Sequence, residues 1–288
     1  MKPIRYHKHD DLYALKDHTH GAMSISGTKA DRDAIASPLT GQQFWQTDVL
    51  EGMYVYTGTF WDYQPRMHRV LLSTHFTAGL LAGGVATSGV GSISVGAAGT
   101  GANAAMDING EAGGRHSLIR IMTGTTTSGR SSLSGGQAVT HLFRPGESKI
   151  WNETALRIPV LSDSADRFTI RVGMIDSPNA DGTDGVFFRY ADNVNGGKWQ
   201  CVTRAAGVET AGDSNVVADT GWHDLAFRYT SSLVRFYIDG VEVVTTSTNI
   251  PSGSQLTNAY SCMIVKGGGS VGTTNRDLYI DRIFVTEL

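Results

Sequence analysis

Alternation of apolar and polar residues is clearest at residues 232–246, where it leads into and out of an Asp-Gly dipeptide. Asp-Gly readily takes positive φ at both central positions of a two-residue type I′ turn, so the pattern predicts a β-hairpin. Ile238 would face Val241 beside the turn, and the next inward pair would be Phe236 with Val243. The predicted core face carries five apolar residues: Val234, Phe236, Ile238, Val241 and Val243. A lone hairpin cannot bury such a face, so neighbouring segments must add strands.

Similar strand signals, separated by turn residues, recur along most of the chain. The segments that carry them are residues 43–47, 53–56, 60–63, 116–123, 149–156, 168–175, 185–190, 199–204, 223–229, 259–266 and 277–286. The 35 glycines and the 18 % of charged residues also fit many short strands joined by tight turns. We therefore predict an all-β fold whose main body is an antiparallel jelly-roll sandwich.

Composition divides the chain into three parts. Residues 1–25 are rich in histidine and form a short N-terminal arm for attachment or trimerisation. Residues 26–68 form a small β unit rich in tyrosine and tryptophan, and residues 69–288 form the jelly-roll domain. The Gly- and Ala-rich residues 83–115 resemble a linker in composition, but their spaced apolar residues predict short strands.

Charge and hydropathy argue against several classes of partner. A formal net charge of -3 and a pI near 6.3 provide no basic surface for nucleic acid. No apolar run is long enough to span a bilayer and the N-terminus lacks a secretory core, so we expect no membrane insertion and folding in a cytoplasm. Cys201 and Cys262 lie in strand-like runs, which predicts buried free thiols rather than a disulfide.

Two His-x-His pairs stand in the N-terminal arm: His7 with His9, and His18 with His20. Residues i and i+2 of an extended strand point to the same side, so each pair presents two imidazoles together. One chain supplies too few ligands for a closed site. A homotrimer supplies six around its axis, which suits octahedral coordination of a transition metal such as iron. The alternative is that these are solvated histidines of a docking arm.

This arm resembles bacteriophage tail-fibre and spike proteins. The resemblance rests on the H-x-H-G motif that begins at His18. In that family some His-x-His pairs hold an iron on the axis of a thin trimeric shaft. The resemblance therefore implies His18 and His20 as metal ligands, with His7 and His9 as a second candidate pair.

The small β unit also resembles a module of phage fibres. The sequence YVYTGTFW at residues 54–61 carries the resemblance, although an Arg-Asp dipeptide at residues 32–33 stands where the phage pattern has Arg-Pro. So short a unit can hardly cover its aromatic surface within one chain, which favours burial between the chains of a homotrimer. Stacking of sugars on the exposed rings is the alternative.

The strand order of the C-terminal part resembles concanavalin A-like, laminin-G-like lectin sandwiches. The segments that carry the resemblance are FRYADNVNGGKWQCVTR, DTGWHDLAFRY, VRFYIDGVEV and DLYIDRIFV. Domains of this kind occur at the ends of phage fibres. The resemblance implies a sandwich that projects outward and binds host-surface carbohydrate.

The sequence contains no recognisable catalytic constellation. Retaining glycosidases on this type of sandwich resemble one another in a Glu-x-Asp-x-x-Glu strand, whereas the glutamates here are scattered singly. There is no Gly-x-Ser-x-Gly elbow, no His-Glu-x-x-His and no phosphate-binding loop. We therefore expect a protein without enzymatic activity.

Arginines in several predicted strands form the candidate ligand-binding set. If their strands are neighbours, Arg171, Arg189, Arg204 and Arg228 would form a row, with Tyr190 close by in sequence. Such a row would bind acidic or hydroxyl-rich glycans through forked donors. We favour the alternative, a solvated outer face whose arginines form salt bridges with Asp192, Asp224 and Asp281.

Oxygen-bearing side chains concentrate in residues 176–185 and 192–195. Asp and Asn oxygens are ligands that calcium prefers, which makes this loop a candidate calcium site. The spacing matches no defined calcium loop, however, and Asp, Asn and Gly are ordinary turn residues. We therefore favour turn formation over calcium binding.

Together these features favour a non-enzymatic virion structural protein. The chain would form a trimeric phage fibre or spike that is assembled in the host cytoplasm. Its N-terminal arm would bind other virion proteins, and its lectin-like domain would project toward host-surface glycan. The alternatives are a capsid or tail decoration protein without a receptor role, and a glycan-degrading enzyme.

Overall fold

The structure is a computed structural model, and its two compact units are Met1–Met67 and His68–Leu288. The predicted boundary, after residue 68, lies beside this division. The described residues are 25–40, 42–46, 52–56, 59, 61–64, 70–75, 86–87, 92–107, 118–135, 142–143, 149–177, 182–253, 255, 257–258 and 260–287. Residues 1–24 of the N-terminal arm lie outside the described residues, and with them the four candidate metal ligands, His7, His9, His18 and His20.

The first unit contains a small sheet of order β1-β2-β3-β4. Its elements are β1 (Ile25–Gly27), α1 (Lys29–Asp33), β2 (Gln43–Gln46), β3 (Gly52–Tyr56) and β4 (Trp61–Gln64). Strand β1 runs parallel to β2, and the other pairs are antiparallel. The short helix was not predicted, although Thr28 and Asp31 form the reciprocal capping box that marks a helix start.

The second unit contains the remaining strands. They are β5 (Val70–His75), β6 (Ala86–Thr87), β7 (Ser92–Ala98), β8 (Asn103–Asp107), β9 (Leu118–Met122), β10 (Arg130–Gly135), β11 (Leu142–Phe143), β12 (Ile150–Arg157), β13 (Asp166–Ile175), β14 (Gly185–Tyr190), β15 (Lys198–Ala205), β16 (Val208–Val217), β17 (Trp222–Tyr229), β18 (Val234–Ile238), β19 (Val241–Thr246), β20 (Thr257–Asn258), β21 (Ser261–Val271) and β22 (Asp277–Glu287).

These strands form two large antiparallel sheets. Sheet I has the order β16-β15-β14-β13-β21-β10-β7-β6 among the described residues. Sheet II has the order β19-β18-β17-β12-β22-β9-β8, and β5 pairs with β22 as well. Strands β11 and β20 form a separate pair. The predicted all-β fold with an antiparallel jelly-roll sandwich is confirmed.

The core lies between the inner faces of the two sheets. Phe188 of sheet I meets Phe236 of sheet II edge to face, with ring centroids 5.2 Å apart. Trp199, in β15 of sheet I, is fully buried and packs against Tyr190. Each fully buried apolar side chain of this size contributes about 1.5–3 kcal/mol to folding. The inner faces therefore supply the main stabilisation of the sandwich.

The hairpin that stands out in the sequence is formed by β18 and β19. Asp239 and Gly240 have φ values of 52° and 77°, the positive values that a type I′ turn requires. Ile238 pairs with Val241 as predicted. The Asp-Gly dipeptide therefore determines the turn that connects β18 and β19.

A β-bulge changes the rest of the predicted register. Phe236 pairs with Val244 instead of Val243, because an extra residue lies in β19 at this point. Both valines consequently pack against the core. Val241, predicted to be a core residue, is 64 % exposed at the tip of the edge strand.

Strands β10 and β16 were not predicted from the sequence. Strand β10 contributes only Leu133 to the core, and serines occupy most of its other positions. Strand β16 is polar and mostly exposed at the edge of sheet I. Both segments therefore form strands because they pair with neighbouring strands, and not because their apolar residues alternate.

Both cysteines are free and buried, as predicted. They belong to the inter-sheet core, where Cys201 lies in β15 and Cys262 in β21. Burial raises the pKa of the Cys262 thiol to about 12 and raises that of Cys201 as well. In the described part of the chain, no helix has the length and apolar character needed to cross a bilayer.

Candidate functional site

Three of the predicted arginines share the outer face of sheet I, the side turned away from sheet II. Arg171 in β13 lies directly opposite Arg189 in β14, and Arg204 follows in the adjacent strand β15. Alternate residues of these strands, among them Val172 and Phe188, belong to the core. Because side chains alternate across a strand, the arginines point to the opposite side.

The guanidinium of Arg189 forms three hydrogen bonds on this face. Its Nε donates to Oε1 of Gln200 at 2.9 Å. Its Nη1 and Nη2 donate to the two carboxylate oxygens of Glu209 at 3.0 and 2.7 Å. This is the forked, two-bond geometry in which a guanidinium binds a carboxylate most strongly. The Arg189 guanidinium is therefore fixed in direction.

Arg204 approaches the same carboxylate from the neighbouring strand. Its Nη1 lies 3.5 Å from Oε2 of Glu209, a longer contact than either bond from Arg189. The Nε of Arg204 is buried and has no hydrogen-bond partner in the described structure. We call Arg189 and Arg204 the arginine clamp, because they hold one carboxylate between them.

An apolar cluster lies on the same face as the clamp. Its members are Ile175, Phe187, Val202 and Met263, all fully buried, with Val265 packed against them. Val202 lies between Gln200 and Arg204 on this face. The cluster thus places apolar side chains on the same face as the polar groups of the clamp.

A second polar group lies toward the edge of sheet I. Asp213 accepts hydrogen bonds from Lys198 Nζ at 2.8 Å and from Asn195 Nδ2 at 3.0 Å. The Lys198 hydrogen bond and a backbone bond from Asn215 lower the pKa of Asp213 to about 2. This carboxylate is therefore already neutralised by its own partners.

Two of the predicted ligand-binding residues do not belong to this face. Arg228 lies in β17 of sheet II, where it pairs with Trp151 and Arg235, so it cannot extend the row. Tyr190 is buried in the core and packs against Trp199 and Phe168, because it follows Arg189 in the strand and points to the opposite side. The sequence analysis grouped Arg228 and Tyr190 with the other arginines by their position along the chain. In the structure, Arg228 belongs to the other sheet and Tyr190 points to the other side of its strand.

Sequence reasoning missed an aromatic pair on the outer face of sheet II. Trp151 and Tyr237 lie with ring centroids 5.5 Å apart across strand β17. Trp151 Nε1 donates to Glu153 at 3.0 Å. Tyr237 alternates with the core residues Phe236 and Ile238, which places it on the outer face, but its pairing with Trp151 on β12 depends on strand order and had no signal in the sequence.

His223 has partners that the sequence did not reveal. Its Nδ1 lies 2.8 Å from Asp239 and its Nε2 lies 3.1 Å from Asp219. Burial opposes the charged ring, but the hydrogen bonds and charges of the two aspartates outweigh it and raise the pKa of His223. The His223 ring thus links the start of β17 to the turn of the β18–β19 hairpin.

The described part of the candidate calcium loop forms turns. Asp176 accepts a hydrogen bond from the Thr183 backbone at 3.0 Å, and Asp184 accepts one from Ala206 at 2.7 Å. Asp192 is occupied by Arg167 and does not pair with the arginine row. No group of three or more acidic, histidine or cysteine side chains within the described ranges is arranged to hold a metal ion.

Two carboxylates share the outer face of strand β16. Glu209 and Asp213 are four residues apart in this strand and lie opposite Arg204 and Gln200 of β15. Both residues are moreover held in ion pairs, by the arginine clamp and by Lys198.

Residues 115–281 match the family described as SO2946-like, C-terminal domain. The chain belongs to this family. The SO2946-like domain covers more than half of the sequence and includes both the arginine clamp and Glu209. None of the curated proteins matches the chain in sequence.

Solved structures with a similar fold include a β-1,3-glucanase from Mycobacterium marinum. It has a TM-score of 0.52 and 14% identity, over 76% of this chain and 100% of the glucanase. HCR/D-Sa-GBL1/C has a TM-score of 0.50 and 11% identity over 75% of this chain, which spans 48% of that protein. The binding domain of botulinum neurotoxin serotype D/C VPI 5993 has a TM-score of 0.49 and 11% identity over 76% of this chain, which spans 49% of that protein. At these identities the likeness to the first two structures establishes the lectin-like sandwich fold alone.

Proposed function

We propose that the SO2946-like domain binds glycan without hydrolysing it, through the outer face of sheet I. The observation that carries this proposal is the placement of Arg171, Arg189 and Arg204 on three adjacent strands of one face. Forked arginine donors suit the paired oxygens of sugar hydroxyls and carboxylates. The fixed direction of Arg189 reduces the entropy lost when a ligand binds.

The carboxylates of this face support binding rather than hydrolysis. A glycosidase needs two carboxylates beside the scissile bond, one of which acts as an acid. Glu209 and Asp213 are each paired with a cation, which stabilises their charged forms and leaves neither of them suited to act as the acid. The glucanase likeness bears on the fold alone, so it does not alter this argument.

The resemblance of the N-terminal segments to phage fibres suggests where such a domain would act. We place the chain in a virion appendage, as a homotrimer attached to other virion proteins through residues 1–25. Three copies of a weak glycan site would gain strength by multivalency. His18 and His20 would hold iron on the trimer axis, with His7 and His9 as a second pair. A capsid or tail decoration protein without a receptor role is the alternative.

Glycan binding by the full chain tests the proposal. Arg189→Lys keeps the charge but removes the fork, so we expect it to weaken binding on a glycan array on the order of tenfold. Arg235→Lys, which changes an ion-paired arginine on sheet II, is the matched control and should bind as wild type does. Absence of glycan binding by the wild-type chain, or equal losses in the two variants, would contradict the proposal.

Separate measurements test the virion context and the absence of catalysis. Mass photometry should find a trimer, and metal analysis should find iron that is lost in a His18→Ala, His20→Ala double variant. Incubation with β-glucans and with the bound glycans should release no reducing ends. A monomer, a metal content unchanged by the double variant, or turnover of any of these substrates would contradict the corresponding part.

A further inference from the structure

The arginine clamp already holds a carboxylate, and that carboxylate comes from the protein itself. Glu209 accepts two bonds from Arg189, at 2.7 and 3.0 Å, and contacts Arg204 at 3.5 Å. An acidic sugar presents its carboxylate in the same planar, two-oxygen form. Glu209 therefore occupies the position that such a ligand would take.

We propose that Glu209 is an internal competitor whose side chain leaves the clamp when the carboxylate of an acidic glycan binds to Arg189 and Arg204. This inference rests on the proposed glycan-binding function and names its substrate class. It makes Glu209 the residue that determines how tightly acidic sugars bind.

The position of Glu209 allows its side chain to leave without disturbing the core. It lies near the start of β16, the edge strand of sheet I, directly after a turn in which Ala206 and Gly207 have positive φ. Its side chain is 27 % exposed, and its neighbour Val208 is 58 % exposed. A rotation of the Glu209 side chain therefore breaks contacts with the clamp and none with the sandwich core.

The arginines keep their positions when Glu209 leaves. Arg189 remains tied to Gln200 through Nε, so its two Nη atoms stay directed at the vacated position. Arg204 has spare donor capacity, because its one charged contact is long and its buried Nε has no partner in the part of the chain described. Two partly buried guanidinium groups without a counter-ion favour the binding of an external anion.

The test compares two glutamate substitutions on opposite sheets. Glu209→Gln removes the internal carboxylate from the clamp, whereas Glu242→Gln breaks the Arg235–Glu242 pair on sheet II and serves as the matched control. Both variants change the net charge equally. Binding of the full-length proteins to 3′-sialyllactose, a uronic-acid oligosaccharide and neutral lactose is measured by calorimetry, with melting curves to establish that each variant is folded.

We expect Glu209→Gln to bind at least one of the carboxylated sugars about tenfold or more tightly than wild type, and lactose no more tightly. The two acidic probes distinguish a sialic acid from a uronic acid as the source of the carboxylate. Glu242→Gln should leave all three affinities unchanged. If Glu209→Gln does not fold, Glu209→Ala is expected to give the same gain.

Any of the following outcomes would overturn the inference. Unchanged affinity of the Glu209 variants for both acidic sugars, or an equal gain with lactose or with Glu242→Gln, would mean that Glu209 does not compete for the clamp. Binding of neutral glycans that depends on Arg189 would then still support the proposed function. If neither wild type nor the variants bind any glycan, the proposed function fails together with the inference.

Discussion

The hairpin β18–β19 offers the most direct test of the sandwich core, because the sequence pattern assigns Phe236 and Val241 to one face and the structure separates them. Phe236 is fully buried and packs against Phe188 at 5.2 Å and Phe227 at 5.9 Å between ring centroids. Truncating such a ring removes its transfer free energy and leaves a cavity. We expect Phe236→Ala to lower the free energy of unfolding by about 3–5 kcal/mol.

Val241 supplies the internal comparison. It is 64 % exposed, so its truncation leaves no cavity. We expect Val241→Ala to change the free energy of unfolding by no more than about 0.5 kcal/mol. The two variants thus differ by about 2.5–5 kcal/mol although alternation alone treats them as equivalent.

Urea unfolding followed by tryptophan fluorescence measures both values, with the free energy extrapolated at a common m-value. Phe236→Leu, which removes less volume, provides an intermediate variant if Phe236→Ala does not fold. A loss above about 1.5 kcal/mol for Val241→Ala, or below about 1 kcal/mol for Phe236→Ala, would refute the described packing of the hairpin.

Three further predictions follow from the described contacts. The pKa of His223 is raised above the ~6.5 of an unfolded chain. The contribution of His223 to stability is therefore full below about pH 6.5 and is lost as the pH rises through the folded-state pKa. In thermal melts, His223→Gln should destabilise the protein more at about pH 5.5 than at about pH 9. The thiols of Cys201 and Cys262 should resist a thiol-labelling reagent until the protein is unfolded, and rapid native-state labelling would contradict their burial. Gly173→Ala should destabilise by at least about 1–3 kcal/mol in urea unfolding, because a Cβ there would lie 2.3 Å from the Val186 carbonyl oxygen and φ is 148°; a neutral result would contradict this backbone conformation.

Local chemistry was sufficient to predict many elements. The predicted strands at residues 149–156, 168–175, 185–190 and 223–229 lie on β12, β13, β14 and β17, with ends that differ by no more than two residues. Their apolar residues alternate and turn residues bound them, so each segment carries its own signal. The type I′ turn followed from its Asp-Gly dipeptide for the same reason.

The candidate site was only partly predictable. Arg189 and Arg204 were selected because arginines in strands would suit glycan, but their shared acceptor Glu209 lies in a polar strand with no apolar alternation. Arg228 was grouped with them although it belongs to the other sheet. The partners of His223 could not be predicted either, because they depend on where the turn of the β18–β19 hairpin lies in the folded chain.

The sequence by itself determined the class of fold and the local conformation of its strands and turns, because alternation and turn residues act over a few positions of the chain. Only the tertiary structure decided which strands are neighbours, and hence that Arg189 and Arg204 share Glu209 while Tyr190 enters the core. Strand order depends on contacts between segments far apart in sequence, and a single extra residue in β19 is enough to move Val243 and Val244 relative to Phe236.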